Sequence, residues 1–398
     1  MLNVLTLSSL FPDATRPNFG IFVERQTAAL AQRPGVSVRV VAPIGLPVWP
    51  LARAARFRAQ AALPVAETWH GLSVARPRFV TLPGTGGRFH VAALVRALCP
   101  LLDRLWEEQR FDVIDASFFF PDGPAAVALG RRYGVPVSIK ARGADIHHWG
   151  RAPATRHQVA RAAARADGLL AVSDAMADDV AALGVARQRV RVHHTGVDQA
   201  IFQPIDRSAA KQALGIRGPL VVSLGALIPR KGHHVVIDAV ARLPGVELLI
   251  VGEGPERDAL AAQVARLGMG ERVQLVGGIP HQALPPLLGA ANVMALASAS
   301  EGLANAWVES LACGTPIVIT PAGGAGDVVT SRTAGRITAP EAEAFADAIR
   351  DVLEQAPDPW TVRAAVRDFT WAANAAALHS HLAGLVARRQ AAGQASSG

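Results

Sequence analysis

Short runs rich in Val, Ile and Leu alternate with helix-length segments through almost the whole of this chain, and that alternation restricts the fold more than any other feature. The first pass reads "LNVLTLS" (residues 2–8), a loop with Pro, Asn and Gly ("FPDATRPNFG"), the helical pattern "IFVERQTAALAQR" and a second strand, "VSVRVVAP". The order returns with "FDVIDAS", "GPAAVALGRRYG" and "VPVSIKA", and again with "RAAARADGLLAVS" and "RVRVHHTGVD". Strands separated by helices pair in parallel, and a parallel sheet needs cover on both faces. The expected class is therefore α/β, doubly wound.

The rhythm breaks once. Residues 197–219, "VDQAIFQPIDRSAAKQALGIRGP", carry Pro, Asp and Gly and little strand pattern, which makes them the best linker candidate. Beyond them the order restarts with "LVVSLGALI", "VELLIVGEG", "VQLVGGI", "VMALAS" and "TPIVIT". Two Rossmann-like domains in tandem are expected, residues 1–198 and 199–374, with an Ala-rich helical tail at about 375–398. Open parallel sheets bind ligands beyond the carboxyl ends of their strands, so the chemistry is sought in the loops that follow strands.

The formal charge of +8 is unevenly spread: residues 1–200 hold 24 Lys plus Arg against 15 acids, residues 201–398 hold 16 against 17. Such a bias favours an anionic partner, be it nucleic acid, an anionic membrane surface or phosphorylated small molecules. An Arg-rich composition is the plainer source, because only Lys140, Lys211 and Lys231 are lysines among 40 cations. A nucleic-acid binder would interleave aromatics with its basic residues, whereas the chain has one Tyr and no recognised binding module. Arg53, Arg56, Arg58, Arg76, Arg78 and Arg88 fall among Trp, Phe, Leu and Pro, a mixture suited to peripheral contact with an anionic membrane.

Cys99 and Cys313 stand far apart in apolar contexts and read as buried thiols. The start of the chain lacks the pattern of a signal peptide, and no apolar run reaches the roughly 18 residues a spanning helix needs. The expected location is the cytoplasm, extending to the inner face of its membrane. Three adjacent histidine pairs (147–148, 193–194, 233–234) lack metal-ligand spacing, and no Asp-x-Asp occurs. Neither metal nor cofactor is expected.

Residues 298–320, "SASEGLANAWVESLACGTPIVIT", set Glu301 and Glu309 around a short apolar segment. Asn305 is a candidate cap for a helix ending at Gly314, with Pro316 beyond; Glu301 then precedes the helix and Glu309 falls near its first turn. A second candidate is "SLGALIPRKGHH", where a strand ends at Gly225 and Arg230 and Lys231 precede a helix. "VGEGPER" and "VGGIP" end two further strands.

The arrangement S-x-x-EGL-x-N-x-x-x-E-x-LACGTPIV, followed by Gly323 and Gly324, resembles the retaining glycosyltransferases of family 4, whose fold of two Rossmann-like domains facing across a cleft is called GT-B. The resemblance runs from the loop at Pro17 to the final helix and is strongest between Gly225 and Gly324. It implies that Glu301 reaches the transferred sugar, that the amides of Gly302 and Leu303 meet sugar and diphosphate, and that Glu309 accepts hydrogen bonds from the ribose hydroxyls. Arg230 and Lys231 correspond to the cations that neutralise the departing diphosphate, Gly252 and Gly254 lie near the cleft, and Ile279 lies against the base. In the first domain "RPNFGIFVERQ" is similar to the loop that brings Gly20 close to the donor phosphate. "KARGADIH" supplies Asp145 as the polar candidate for a sugar hydroxyl and places Arg142, on the acceptor side, where many relatives have histidine. A guanidinium cannot act as a general base near neutral pH.

The resemblance further implies a hexosyl transfer that retains configuration, from a UDP- or GDP-linked sugar to a glycan or lipid-linked acceptor in surface polysaccharide synthesis, without metal. It also implies a last helix that crosses back to complete the first domain. A GT-B epimerase or phosphorylase shares the scaffold and is the nearest alternative; a basic nucleic-acid-binding protein is the remote one.

Overall fold

The central strands, composed largely of Val, Ile, Leu and Ala, are buried on both faces, and two sheets built around them organise the chain. The structure, a computed structural model, describes residues 1–395, and they divide into two units, Met1–Gly196 joined by the chain from Trp371 onward, and Val197–Thr370.

The strands of the first unit are β1 (Leu2–Leu7), β2 (Val36–Val41), β3 (Ile44–Pro47), β4 (Ala66–Trp69), β5 (Leu72–Ala75), β6 (Arg78–Thr81), β7 (Val113–Ala116), β8 (Val137–Ala141), β9 (Gly168–Ala171) and β10 (Val190–Val192). Eight of them form one sheet in the order β10-β9-β8-β7-β1-β2-β5-β4, parallel except for the β4–β5 edge, while β3 and β6 pair separately and in parallel. The order reverses at β1, whose neighbours are β2 and β7. Residues 44–81, to which the pattern assigned no strand, supply four short ones because Pro and Gly break the apolar periodicity there.

The second unit contains β11 (Leu220–Leu224), β12 (Glu247–Val251), β13 (Val273–Gly277), β14 (Val293–Leu296), β15 (Ile317–Ile319) and β16 (Gly335–Ile337) in the parallel order β13-β12-β11-β14-β15-β16. This is the Rossmann order, with reversal between β11 and β14. The linker candidate is more ordered than its composition suggested: Arg207–Ala213 is helical, and the Asp206 carboxylate caps it by accepting the amides of Ser208 and Ala209.

The last helix, Trp371–Ala395, belongs to the first unit. Its Leu378, Leu382 and Leu385 are buried against Val4, Leu30, Val113 and Leu170. Each such leucine contributes on the order of 2 kcal/mol by leaving water. The chain enters and leaves the second unit side by side, since the Val197 amide donates to the Phe369 carbonyl at 2.8 Å and Val197 bridges Thr370.

Where the first sheet reverses, the loops after β1 and β7 are tied by one carboxylate. Asp122, fully buried at the start of the helix Asp122–Tyr133, accepts from the Ser9 amide at 2.7 Å and the Ser9 hydroxyl at 3.1 Å. Burial pushes Asp122 up to about 7, against the opposing pull of those bonds and with some help from the Asp145 charge. An acid whose native pKa lies above its unfolded value of about 4 holds its proton more tightly when folded. Its stabilising contribution is complete below pH ~4 and is lost as pH rises through about 7. Asp122→Asn retains an acceptor for Ser9 but cannot ionise. We expect its melting temperature relative to the parent to be higher at pH 8 than at pH 5, a difference worth about 2–3 kcal/mol, since some two pH units of the window between 5 and 7 are crossed at ~1.4 kcal/mol each. Equal differences at the two pH values would refute this account.

Candidate functional site

In the second unit the loops that follow β11 and β14 diverge where the strand order reverses, and from these two loops come a cation and a carboxylate that meet. Lys231 Nζ donates to Glu301 Oε1 at 2.5 Å, with 14% of the lysine side chain and 9% of the glutamate side chain exposed. Arg230 stands farther off, at 3.8 Å from Glu301 Oε2, and its side chain is 44% exposed. Its guanidinium also donates to the Ser300 carbonyl.

Backbone contacts fix this geometry. The Ala299 amide donates to the Arg230 carbonyl at 2.8 Å, and the Gly324 amide donates to the Gly302 carbonyl at 2.7 Å, so the loops after β11, β14 and β15 form one block. The loop after β12 closes on the loop after β11. Gly252 has φ +150°, and a Cβ there would lie 1.8 Å from the Gly225 carbonyl oxygen; one on Gly254 would lie 2.3 Å from that of Leu227. The glycines of "VGEG" therefore have a structural reason to be glycine before any ligand is considered. Gly225 itself packs beside the aliphatic stem of Lys231, at ordinary contact distance for a Cβ.

The helix after Glu301 is Asn305–Ala312. Two readings of it need correction. Asn305 is its first residue and makes no side-chain cap, the N-cap position falling on Ala304, because the chain turns helical one residue earlier than the Asn suggested. Glu309 is the fifth of eight residues, in the second turn rather than the first, and so gains little from the dipole of the amino end. At the other end Gly314 and Thr315 donate to the carbonyls of Leu311 and Ser310 at 3.0 and 2.9 Å, the Schellman pair of bonds that stops the helix.

Glu309 is held by a residue that pattern reading missed. His281 Nε2 lies 2.6 Å from Glu309 Oε1, and both side chains are 12% exposed. His281 follows Ile279 by two residues in the loop after β13 and leans on the Phe202 ring, with 5.1 Å between centroids. A histidine just past a strand-end "VGGIP" was the available signal. Ile279 is half-buried in that same loop, while Gly302 and Leu303 are buried between Glu301 and the helix. The unit thus brings Lys231, Arg230, Glu301 and Gly302 together and places Glu309 with His281 on the next helix.

The first unit orders its own strand-end loops differently. Gly20 adopts φ +73° immediately before the helix Ile21–Ala31, and a Cβ there would lie 2.5 Å from the Leu10 carbonyl oxygen, so the loop after β1 doubles back tightly at this point. Asp145 is the clearest correction. It is fully buried, and its carboxylate accepts the amides of Phe119 (2.9 Å), Arg142 (3.0 Å) and Gly143 (2.8 Å). Three loop amides need a partner, and Asp145, fully buried, is taken up by them instead of standing open to a sugar hydroxyl. Arg142 is half-buried, donating Nε to the Ser117 carbonyl at 2.6 Å, with its guanidinium 4.9 Å above the Phe22 ring. Burial pulls its pKa down to about 10 despite the nearby charges of Asp115 and Asp145.

Beneath Arg142 lies a buried cation that sequence reading left unassigned. Lys140 Nζ donates to Gln26 Oε1 at 3.0 Å and to His193 Nδ1 at 2.8 Å, and His193 Nε2 donates to the Asn374 carbonyl at 2.9 Å. Since Nε2 must carry the proton to reach a carbonyl, Nδ1 is the acceptor and the imidazole is neutral. Burial, then the Arg142 charge, holds Lys140 well below its ordinary value. A lone lysine in an apolar strand, one of three in the chain, was the signal for it.

Comparison with known proteins adds the following. Residues 20–200 match the family model "Glycosyltransferase Family 4" and residues 205–367 match "Glycosyl transferases group 1", together most of the chain. The chain is 35% identical over 204 residues to D-inositol 3-phosphate glycosyltransferases of Mycobacterium bovis and Mycobacterium tuberculosis, a stretch of 49% of this chain and 42% of theirs. The match thus spans less than half the length of those relatives. Among solved structures, sucrose-phosphate synthase from Thermosynechococcus elongatus is similar at a TM-score of 0.78 with 21% identity, over 98% of this chain and 100% of that one. Anabaena Alr3699/HepE in complex with UDP is similar at 0.75 and 21%, over 96% and 100%.

The Lys231–Glu301 pair gives a test that needs no substrate. Removing one member of a shielded pair strands the other, whereas removing both does not. Lys231→Ala is expected to lower stability by about 2 kcal/mol, and Lys231→Ala with Glu301→Gln to recover most of that loss. Additive losses in urea unfolding would show that the pair is not coupled.

Proposed function

Because the chain belongs to the GT-B glycosyltransferases of group 1 and family 4, we propose that it transfers a hexose-type sugar, with retention of configuration, from a nucleotide diphosphate sugar to a glycan or lipid-linked acceptor in surface polysaccharide synthesis. The observation that carries this reading is the meeting of Lys231, Arg230 and Glu301 at the reversal point of the second sheet, where a parallel sheet offers its ligand crevice. UDP is the nucleotide proposed, in keeping with the UDP complex of the similarly folded HepE.

On this reading Lys231 exchanges its partner. A diphosphate beside the loop after β11 offers the ammonium group more negative charge than one carboxylate does, and Arg230, already half in solvent, swings to the same anion. Glu301, freed of the full charge of Lys231, accepts from hydroxyls of the transferred sugar. Glu309 accepts from the ribose diol through Oε2 while His281 holds Oε1. The bond from the anomeric carbon to the β-phosphate oxygen breaks, the acceptor oxygen bonds to the same face of that carbon, and the acceptor proton passes to the leaving phosphate oxygen. No side chain need act as a base, which suits the engagement of Asp145 by backbone amides. The charge of the leaving group is met by Arg230 and Lys231, so no metal enters the scheme.

A nucleotide that binds only the folded chain raises its melting temperature, and UDP should do so more than GDP at equal concentration. Transfer from a UDP-sugar, read as a glycoside product, should fall at least ~10²-fold in Lys231→Ala, the order found when one donor to a developing anion is removed. Chelation with EDTA should leave it unchanged. Near-normal turnover by Lys231→Ala would overturn the assignment, and a loss on chelation that Mg²⁺ restores would overturn the metal-free scheme.

A further inference from the structure

The separate strand pair β3–β6 carries a surface that the donor chemistry does not use. Its parallel register sets Leu46 opposite Val80 and Pro47 opposite Thr81, so the chain leaves both strands at the same end, through Val48 and Leu82. Val48, Trp49, Leu51, Val80 and Leu82 are all exposed there, Trp49 by 69%. The chain next forms a 3₁₀ turn, Leu51–Arg53, and a helix, Ala55–Ala61, and neither has a single buried residue. Only Phe57 and Gln60 of this helix are even partly buried, so it gains little from its own domain by packing.

Charge sets this surface apart from an ordinary apolar patch. Arg53, Arg56 and Arg58 are exposed and make no ion pair among the described residues; Arg53 lies 5.5 Å from the Trp49 ring and Arg56 lies 4.6 Å from the Phe57 ring. Between Glu24 and Asp103 the sequence has one carboxylate, Glu67, and Arg76 takes it at 2.5 Å. The excursion is nevertheless held in place. Arg78, on β6, donates to the carbonyls of Ala61, Leu63 and Pro64, which pins the far end of the helix to the strand pair.

We propose that Val48–Arg58, with Val80 and Leu82, is a docking surface for an anionic lipid bilayer. An indole and aliphatic tips flanked by guanidinium groups match the two layers of such a surface, the acyl boundary and the charged headgroups. A second copy of the chain fits poorly. A two-fold contact through this patch would set Arg53, Arg56 and Arg58 against their own equivalents with no carboxylate between them. This inference stands whether or not the donor reading does.

The test is sedimentation of the full chain with vesicles of neutral lipid alone and with about 30% anionic phosphatidylglycerol, at low salt and at about 1 M salt, where the screening length falls from roughly 10 Å to 3 Å. Binding is expected to be at least ~10-fold stronger to the anionic vesicles at low salt and mostly lost at high salt. Trp49→Ala with Leu51→Ala should weaken it about 5-fold or more, and Arg53→Gln with Arg56→Gln and Arg58→Gln should reduce it to the neutral-lipid level. None of these side chains is buried, so the melting temperatures should match the parent. A control that replaces the exposed Arg131, Arg161 and Arg165 with Gln should bind like the parent. Equal binding to both kinds of vesicle overturns the proposal. So does an equal loss in the control, or self-association of the parent in sedimentation velocity that Trp49→Ala with Leu51→Ala abolishes.

Discussion

A parallel strand cannot be joined to its neighbour by a tight turn, and this constraint shapes everything that follows in the chain. Each connection must travel back across a face of the sheet, so every loop after a strand emerges on one edge. Where the strand order reverses, two adjacent loops leave in opposite directions and open a crevice. β11 and β14 in the second sheet meet this condition, and so do β1 and β7 in the first. The two reversals are used differently. Asp122 closes the first by gripping Ser9, whereas at the second the Ala299–Arg230 backbone bond holds the loops and Lys231 and Glu301 pair above it through their side chains.

That difference has an energetic side. A carboxylate bonded to backbone amides, such as Asp145, cannot leave without stranding several donors, so it belongs to the permanent structure. A lysine paired with a single glutamate at a partly exposed position can change partners, because an arriving anion replaces what is lost. Lys140 is the opposite case: its partners, Gln26 and His193, are neutral and buried, and the chain of bonds ends on the Asn374 carbonyl in the last helix. It anchors the returning helix to the sheet it covers, next to the leucines that supply most of the burial.

Legibility in the sequence followed the same division. The strands and the two-sheet arrangement were readable because a doubly buried strand must be apolar at consecutive positions, and such runs are rare by chance. Glu301, Lys231 and Arg230 drew notice through the family motifs that their loops, "SASEGLANAWVES" and "SLGALIPRKGHH", resemble. What failed were inferences from single residues about local geometry. Asn305 has the chemistry of a cap, but the helix starts on it and not after it. Asp145 has the chemistry of a hydroxyl ligand, but the loop around it holds more amides than its own turn can satisfy. His281 and Lys140 went unassigned because their partners, Glu309, Gln26 and His193, are 28, 114 and 53 residues away, and no local pattern encodes such pairs.

The basic excess of the first half also resolves into distinct kinds of arginine once burial and partners are known. Arg76 is fully buried, bonded to Glu67 and to the Pro12 carbonyl, and Arg78 binds backbone carbonyls; both are building material for residues 44–81. Arg53 and Arg56 lie against the Trp49 and Phe57 rings, and these two and Arg58 are exposed to solvent with no ion pair among the described residues. An Arg-rich composition explains why arginine rather than lysine occupies all five positions. It does not explain the lack of carboxylates near the exposed three in sequence, since elsewhere exposed arginines such as Arg132 and Arg332 sit against aspartates. With Glu67 the one acid between Glu24 and Asp103, and that one taken by Arg76, the stretch keeps a positive excess, and a field of that kind acts on whatever anionic surface approaches it.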